Sequence, residues 1–172
     1  MTRLTLACAL ALAACGTPEG RSASGTGAGE TAYTIGPDGA AGLKAQTPFT
    51  VPAMERAFPD LEVVTISDPE TPAFHIRETG SEMPLYIVTP DWTRGYVGAV
   101  ATRSVEVSGP GGLRAGESRL SEVASPLKAN CAPPETQSDI SLVCESGRLR
   151  LEFSGTGGDL LLLQQTYLPP VP

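Results

Sequence analysis

Three hydrophobic patterns follow one another along this chain. The first is a nearly unbroken apolar run from Leu4 to Ala14, preceded by Arg3. The second is a gap: residues 16–32 read GTPEGRSASGTGAGETA, with no apolar side chain larger than alanine. The third begins at Tyr33 and is a series of short β-type stretches broken by glycine and proline. Tyr33-Thr34-Ile35 predicts a short strand, ended by the turn cluster Gly36-Pro37-Asp38-Gly39. A helix is predicted over Pro52 to Phe58, with Thr50 as cap, Pro59 as stop, and Ala53, Met54, Ala57 and Phe58 on one core face. Strands are predicted at Leu61–Ser67, Phe74–Glu78 and Leu85–Thr89. In the second of these, Phe74 and Ile76 share one face, and His75 and Arg77 the other. A loop over Pro90–Gly95 leads to a long strand, Tyr96–Ser108, with a bulge near Thr102-Arg103 and an end at Gly109-Pro110-Gly111-Gly112.

Gly42-Leu43-Lys44-Ala45 then recurs as Gly112-Leu113-Arg114-Ala115. Each copy follows a strand and a glycine turn and precedes a short helical pattern ended by proline. In the second copy Ser118 is the cap, Leu120, Val123 and Ala124 share a face, and Pro126 terminates. This shared order suggests an internal duplication. Strands follow at Asp139–Glu145, with Ile140, Leu142 and Cys144 on one face, and at Arg148–Phe153. The latter alternates without a fault: Leu149, Leu151 and Phe153 inward, Arg148, Arg150 and Glu152 outward. Leu160–Leu168 is the last strand, its first part, four consecutive leucines, covered on both faces and Gln164 and Gln165 facing out, before Pro169-Pro170-Val171-Pro172. The fold class expected is α+β: an antiparallel sheet of seven or eight strands with two short helices on one face.

The N-terminus changes the picture from fold to location. Arg3 and the run after it form a charged n-region and an h-region too short to span a bilayer as a stable helix. The order Leu12-Ala13-Ala14-Cys15 resembles a bacterial lipobox, in which a diacylglycerol is added to the cysteine. The alternative is an ordinary signal peptide with Cys15 incidental. The lipobox reading divides the chain into a signal peptide (1–14), a lipidated cysteine and flexible tether (15–32), and one domain (33–172). A tether of this composition reaches roughly 20–25 Å root-mean-square. Gly16 stands where an aspartate commonly retains such proteins in the inner membrane, so the expected place is the outer membrane, with the domain facing the periplasm.

Charge and cysteines agree with an exported domain. The formal charge is −7, and loss of Arg3 with the signal peptide takes it to −8. Such a chain is repelled by phosphate backbones, which argues against nucleic acid as a partner. Attachment to the membrane is therefore expected through the N-terminal lipid. Of four cysteines, Cys8 lies in the signal segment and Cys15 is the lipidation candidate. Cys131 and Cys144 remain for a disulfide in an oxidising compartment, with two reduced core thiols as the alternative. Zinc is disfavoured, since these two cysteines and His75 fall short of four ligands.

Catalytic patterns are thin. His75 is the only histidine, no G-x-S-x-G elbow surrounds a serine, and no free thiol remains as a nucleophile. Asp68, Glu70, Glu78 and Glu82 cluster between strands, where a glycosidase pair competes with solvated surface. Gly109–Gly112 lacks the Lys-Ser/Thr of a phosphate loop and reads as a turn. Trp92 and Tyr96 flank a loop; a packed loop tip is the preferred reading, with a partner surface formed by Trp92 and Tyr96 as the alternative. No catalytic, metal-binding or cofactor-binding residue is assigned.

Several of these segments occur together elsewhere. Gly42 to Phe49 with Thr47-Pro48, the strand through Val105-Glu106-Val107, Gly112 to Glu122, Cys131 with Val143-Cys144, and Leu151-Glu152-Phe153-Ser154-Gly155 stand in this order. The chain thereby resembles the sigma-E-regulated envelope lipoprotein family of Gram-negative bacteria, built on a domain of unknown function. The resemblance spans roughly Tyr33 to Leu168. It implies a lipidated periplasm-facing domain and a link to envelope stress, and brings no activity with it. The chain departs from the family between Ser154 and Leu160, where a longer, tryptophan-bearing connection is expected and only Gly155-Thr156-Gly157-Gly158-Asp159 stands. Two function classes follow: a non-enzymatic module binding an envelope protein or ligand, which is preferred, and a hydrolase acting on envelope material.

Overall fold

The computed structural model describes residues 33–170 other than 45 and 137. The signal segment, Cys15, the tether and residues 171–172 lie outside the described residues. β1 (Ile35–Gly36) and β2 (Gly39–Ala40) form a hairpin across Pro37-Asp38. Helix α1 (Val51–Ala57) starts with proline in its first turn and has Thr50 at the N-cap position, without a side-chain bond. It stops where Pro59 can no longer donate an N–H. Four strands follow in a meander: β3 (Glu62–Ile66), β4 (Ala73–Arg77), β5 (Tyr86–Pro90) and β6 (Val97–Thr102). Four more come later: β7 (Cys131–Ala132), β8 (Leu142–Ser146), β9 (Leu149–Ser154) and β10 (Leu161–Tyr167). One sheet holds all eight, in the order β3-β4-β5-β6-β10-β9-β8-β7, with every pair antiparallel.

The two meanders match in register. In β6, Val97 faces Pro90, Gly98 is the bulged residue and Ala99 faces Thr89. In β10, Leu162 faces Phe153, Leu163 is the bulged residue and Gln164 faces Glu152. Outward from there, Val88 faces Phe74 as Leu151 faces Cys144, and Phe74 faces Thr65 as Cys144 faces Cys131. The meanders join where β6 meets β10, through Thr102–Gln165, Ala101–Thr166 and Val100–Tyr167. This correspondence makes Ala101 and Thr166 counterparts, so a pseudo-twofold passes through their pair.

The segments that enter each meander match as well. The Lys44 N–H donates to the Thr47 hydroxyl, and the Arg114 N–H to the Ser118 hydroxyl, both at 3.0 Å. Thr47 then accepts from Val97 and Phe49 donates to Gly95, while Ser118 accepts from Leu162 and Leu120 donates to Leu160. Leu43 and Leu113 are both buried beneath their halves.

All the large inward side chains lie on one sheet face. Under the first meander, Phe74, Ile76, Tyr86 and Val88 pack with Met54, Phe58 and Leu43. Under the second, Leu149, Leu151 and Phe153 pack with Leu113 and Val123. At the junction sits Gln165, fully buried, its Nε2 donating to the Leu113 carbonyl at 3.0 Å. Its amide lies against Gly109, where any Cβ would collide with it.

Several expectations are corrected. Among the described residues the architecture is mainly β, with one α-helix, and the second helix is replaced by 3-10 turns at Leu120–Glu122 and Ser125–Lys128. A continuous helix does not form there: Ser118 O accepts from Leu162 of β10, Leu120 N–H donates to Leu160 O just before that strand, and Pro126 supplies no N–H. Ser118 is therefore a turn residue rather than a cap, and Ala124 is exposed instead of sharing a face with Val123. The long strand expected over Tyr96–Ser108 ends at Thr102. Beyond it, Thr102 and Ser104 hydroxyls capture the N–H groups of Ser104 and Glu106, which substitutes side-chain turns for a ladder. The chain then pairs with the first strand region, Ser108 N–H donating to Tyr33 O at 2.8 Å. Gln165 points inward because the bulge at Leu163 flips the alternation. Glu152 keeps its outward face yet is only 7% exposed, closed in by Arg150 at 2.9 Å. Ile140 lies before β8 rather than in it.

The bulge at Gly98 yields a direct test. A Cβ there would run into the Pro90 carbonyl and the Asp91 N–H, both backbone. Gly98→Ala is expected to cost about 1–3 kcal/mol in urea denaturation. A variant as stable as the parent would contradict this account of the bulge.

Candidate functional site

The β5–β6 hairpin connection runs Asp91-Trp92-Thr93-Arg94-Gly95-Tyr96. Its conformation is held at many points. Asp91 N–H donates to Tyr96 O at 2.8 Å and Arg94 N–H to Asp91 O at 3.0 Å. The Asp91 carboxylate accepts from the Thr93 hydroxyl at 2.8 Å and from the Tyr96 N–H at 3.3 Å. Arg94 takes a left-handed backbone at φ 61° and reaches across to donate to Pro69 O at 2.9 Å. Gly95 O also accepts from Phe49, which ties the loop to the segment before α1.

On this fixed loop Trp92 is 87% exposed. Tyr96 is 40% exposed, and both border a groove of about 300 Å³. Pro169-Pro170, which follows β10, lines the same groove. Prolines lack the N–H that would extend the ladder, so β10 pairs with β6 only as far as Val100. Ala99 and Gly98 are left as the groove floor. Large exposed aromatics on rigid supports are the usual anchors of interfaces, because ordering them on binding costs little. Trp92 and Tyr96 thus line one groove, and Trp92 is exposed rather than packed as a loop tip. Nothing in the local pattern of Pro169 and Pro170 places this C-terminal segment beside β6, so their part in the groove is not legible from sequence.

The other candidates have structural occupations. His75 is half-buried on the outer sheet face, between Val64 and Ile87. Asp68 accepts from the N–H groups of Glu70 and Thr71, which hold its carboxyl below the usual range. Glu78 accepts from the Tyr33 hydroxyl at 3.0 Å. Gly109–Gly112 closes a 3-10 turn, with Gly112 N–H donating to Gly109 O. Cys131 and Cys144 form a disulfide with their Cα atoms 4.0 Å apart. Among the described residues, no three His, Cys, Asp or Glu side chains assemble as a metal-binding group. An apolar recess of about 230 Å³ between Tyr33, Phe58, Leu61 and Tyr86 is smaller than usual ligand pockets. Burial there pushes the Tyr86 hydroxyl up to about 12, although it donates to Thr34 O at 2.9 Å.

Asp91 gives the site a pH signature. Desolvation works to raise its pKa, but the Thr93 hydroxyl and the Tyr96, Gly95 and Thr93 backbone outweigh this and hold it below its ordinary value. A depressed carboxyl contributes its order fully above the unfolded pKa, about 3.9, and loses it as pH falls through the folded value. Trp92 is the chain's one tryptophan and reports on the loop directly. Its emission is expected to stay flat from neutral pH to about 4 and to shift below that. Asp91→Ala should remove the transition while circular dichroism stays constant. An unchanged acid transition in that variant would contradict the assignment.

Comparison with known proteins shows the fold alone. No family model and no curated protein matches the chain. Among solved structures, the uncharacterized protein YfeY from Escherichia coli matches with a TM-score of 0.57 at 14% identity. The match covers 78% of this chain and 99% of that one, so the two share one architecture.

Proposed function

We propose that this chain is a lipid-anchored, non-enzymatic binding module of the bacterial envelope that engages a protein partner through the Trp92–Tyr96 groove. The observation that carries this reading is a tryptophan 87% exposed on a loop pinned by Asp91 and Arg94. The lipobox Leu12-Ala13-Ala14-Cys15 supports attachment through Cys15, and Gly16 supports an outer-membrane address with the domain facing the periplasm. The fold shared with YfeY is compatible with the sigma-E-regulated envelope lipoprotein family and its link to envelope stress. We also infer that the two meanders arose by duplication, because their registers, their bulges and their Gly-Leu-basic entries coincide. The family's tryptophan-bearing connection would fall between β9 and β10. Here that connection is short, and the tryptophan stands on the counterpart hairpin of the first half.

The alternative of a hydrolase is disfavoured by the placement of His75 among apolar neighbours and by the turn-bound carboxylates. One panel separates the two classes. Emission of Trp92 is followed while envelope proteins, cell-wall fragments and lipid vesicles are added, and turnover is assayed on the same materials. The expected result is a saturable blue shift with a protein fraction, without turnover. Turnover of any component, or no shift with any protein fraction, would overturn the reading. Separately, Cys15→Ser is expected to move the protein from the membrane to the soluble fraction.

A further inference from the structure

We propose that the outer edge of β3 is a self-pairing surface through which two copies of this chain join their sheets in antiparallel. The sheet has two terminal strands, β3 and β7, which the pseudo-twofold makes counterparts. They are finished differently. β7 has two residues, runs into Pro133-Pro134 and is cross-linked to β8 by the disulfide. These are devices that close an edge against further pairing. β3 has five residues, Glu62-Val63-Val64-Thr65-Ile66, with no proline, lysine, arginine or bulge. Among the described residues, none of its backbone groups bonds to anything beyond β4. A β-branched strand with free backbone groups along one side is a template for another strand.

The sequence of β3 selects a copy of itself as the occupant. A twofold through Val64 sets Val64 against its own copy, Val63 against Thr65, and Glu62 against Ile66. No like charges face one another, and the Glu62 carboxylate is already held by Arg77 at 2.9 Å. Leu61 would face Ser67 next and Asp60 would meet Asp68 after that, but all four lie beyond the strand ends, so the pairing stops before the two aspartates. The fold already uses this geometry inside one chain, where β6 and β10 join the two meanders through three residue pairs. A five-residue edge buries less than the ~1,200 Å² of a typical stable interface, so association should depend on concentration.

Charge exchange at the twofold tests this specifically. The chain from residue 15 onward carrying Cys15→Ser is studied by sedimentation equilibrium, with circular dichroism as the check on folding. The parent is expected to dimerise. Val64→Lys and Val64→Glu, each placing like charges face to face, should both weaken association about tenfold or more. Mixing the two variants should restore it, because only a homotypic twofold brings residue 64 opposite residue 64. A parent that stays monomeric at its solubility limit would overturn the proposal. So would folded variants that still dimerise alone, or a mixture that stays monomeric.

Discussion

Phe153→Ala is expected to lower the unfolding free energy by about 3–5 kcal/mol. Phe153 is fully buried on β9, with Leu142 across one strand boundary and Leu162 across the other. It is the one aromatic ring among the buried residues of the second core, which otherwise relies on leucines, Val123 and Cys144. The first core distributes its aromatic area over Phe58, Phe74, Tyr86 and Tyr167, so no single ring there carries the same share. Loss of the Phe153 ring leaves a cavity that the hydrogen-bonded strands on both sides cannot close. The cost is a large part of the roughly 5–15 kcal/mol that holds a domain together. Urea denaturation measures it, and a loss under about 1 kcal/mol would contradict the packing described.

Replacing both Cys131 and Cys144 by alanine is expected to cost about 3 kcal/mol. The bridge closes a loop of sequence separation 13, and cross-linking its ends removes entropy from the unfolded chain. It also fixes an edge that burial cannot hold. β7 is only two residues long, and the segment after it is polar, proline-rich and mostly exposed. Cys144 is itself buried, so alanine adds a small cavity term. The parent in reductant should unfold at nearly the same urea concentration as the double variant. A double variant as stable as the oxidised parent would contradict the role of the bridge.

The fold was legible where local alternation controls the outcome. Phe74 and Ile76 face inward while His75 and Arg77 face outward, and β9 buries Leu149, Leu151 and Phe153 as its pattern requires. The helix at Val51–Ala57 follows from Pro52 at its start and Pro59 beyond its end. Legibility failed where tertiary hydrogen bonds override a local pattern. Leu120, Val123 and Ala124 have helical spacing, but the backbone at Ser118 and Leu120 bonds to Leu162 and Leu160 instead. Gln165 reads as surface because a bulge at Leu163 leaves no mark in a run of leucines. The likeness of the two halves shows in the sequence only as Gly-Leu-basic-Ala, whereas in the structure it lies in register, including two bulges at counterpart positions. At the site, the aromatic pair could be seen in the loop sequence. The proline lining could not, because it arises from how far β10 pairs with β6.

The proposed meeting of the Trp92 loop with an envelope protein is open to test in cells. The most direct measurement places a photo-crosslinking residue at position 92 in cells carrying the otherwise intact chain. Thr156, exposed on the counterpart hairpin between β9 and β10, serves as the matched control position. One discrete cross-linked protein is expected from position 92, lost on Asp91→Ala, and none from position 156. Equal cross-linking from both positions, or none from position 92, would contradict it.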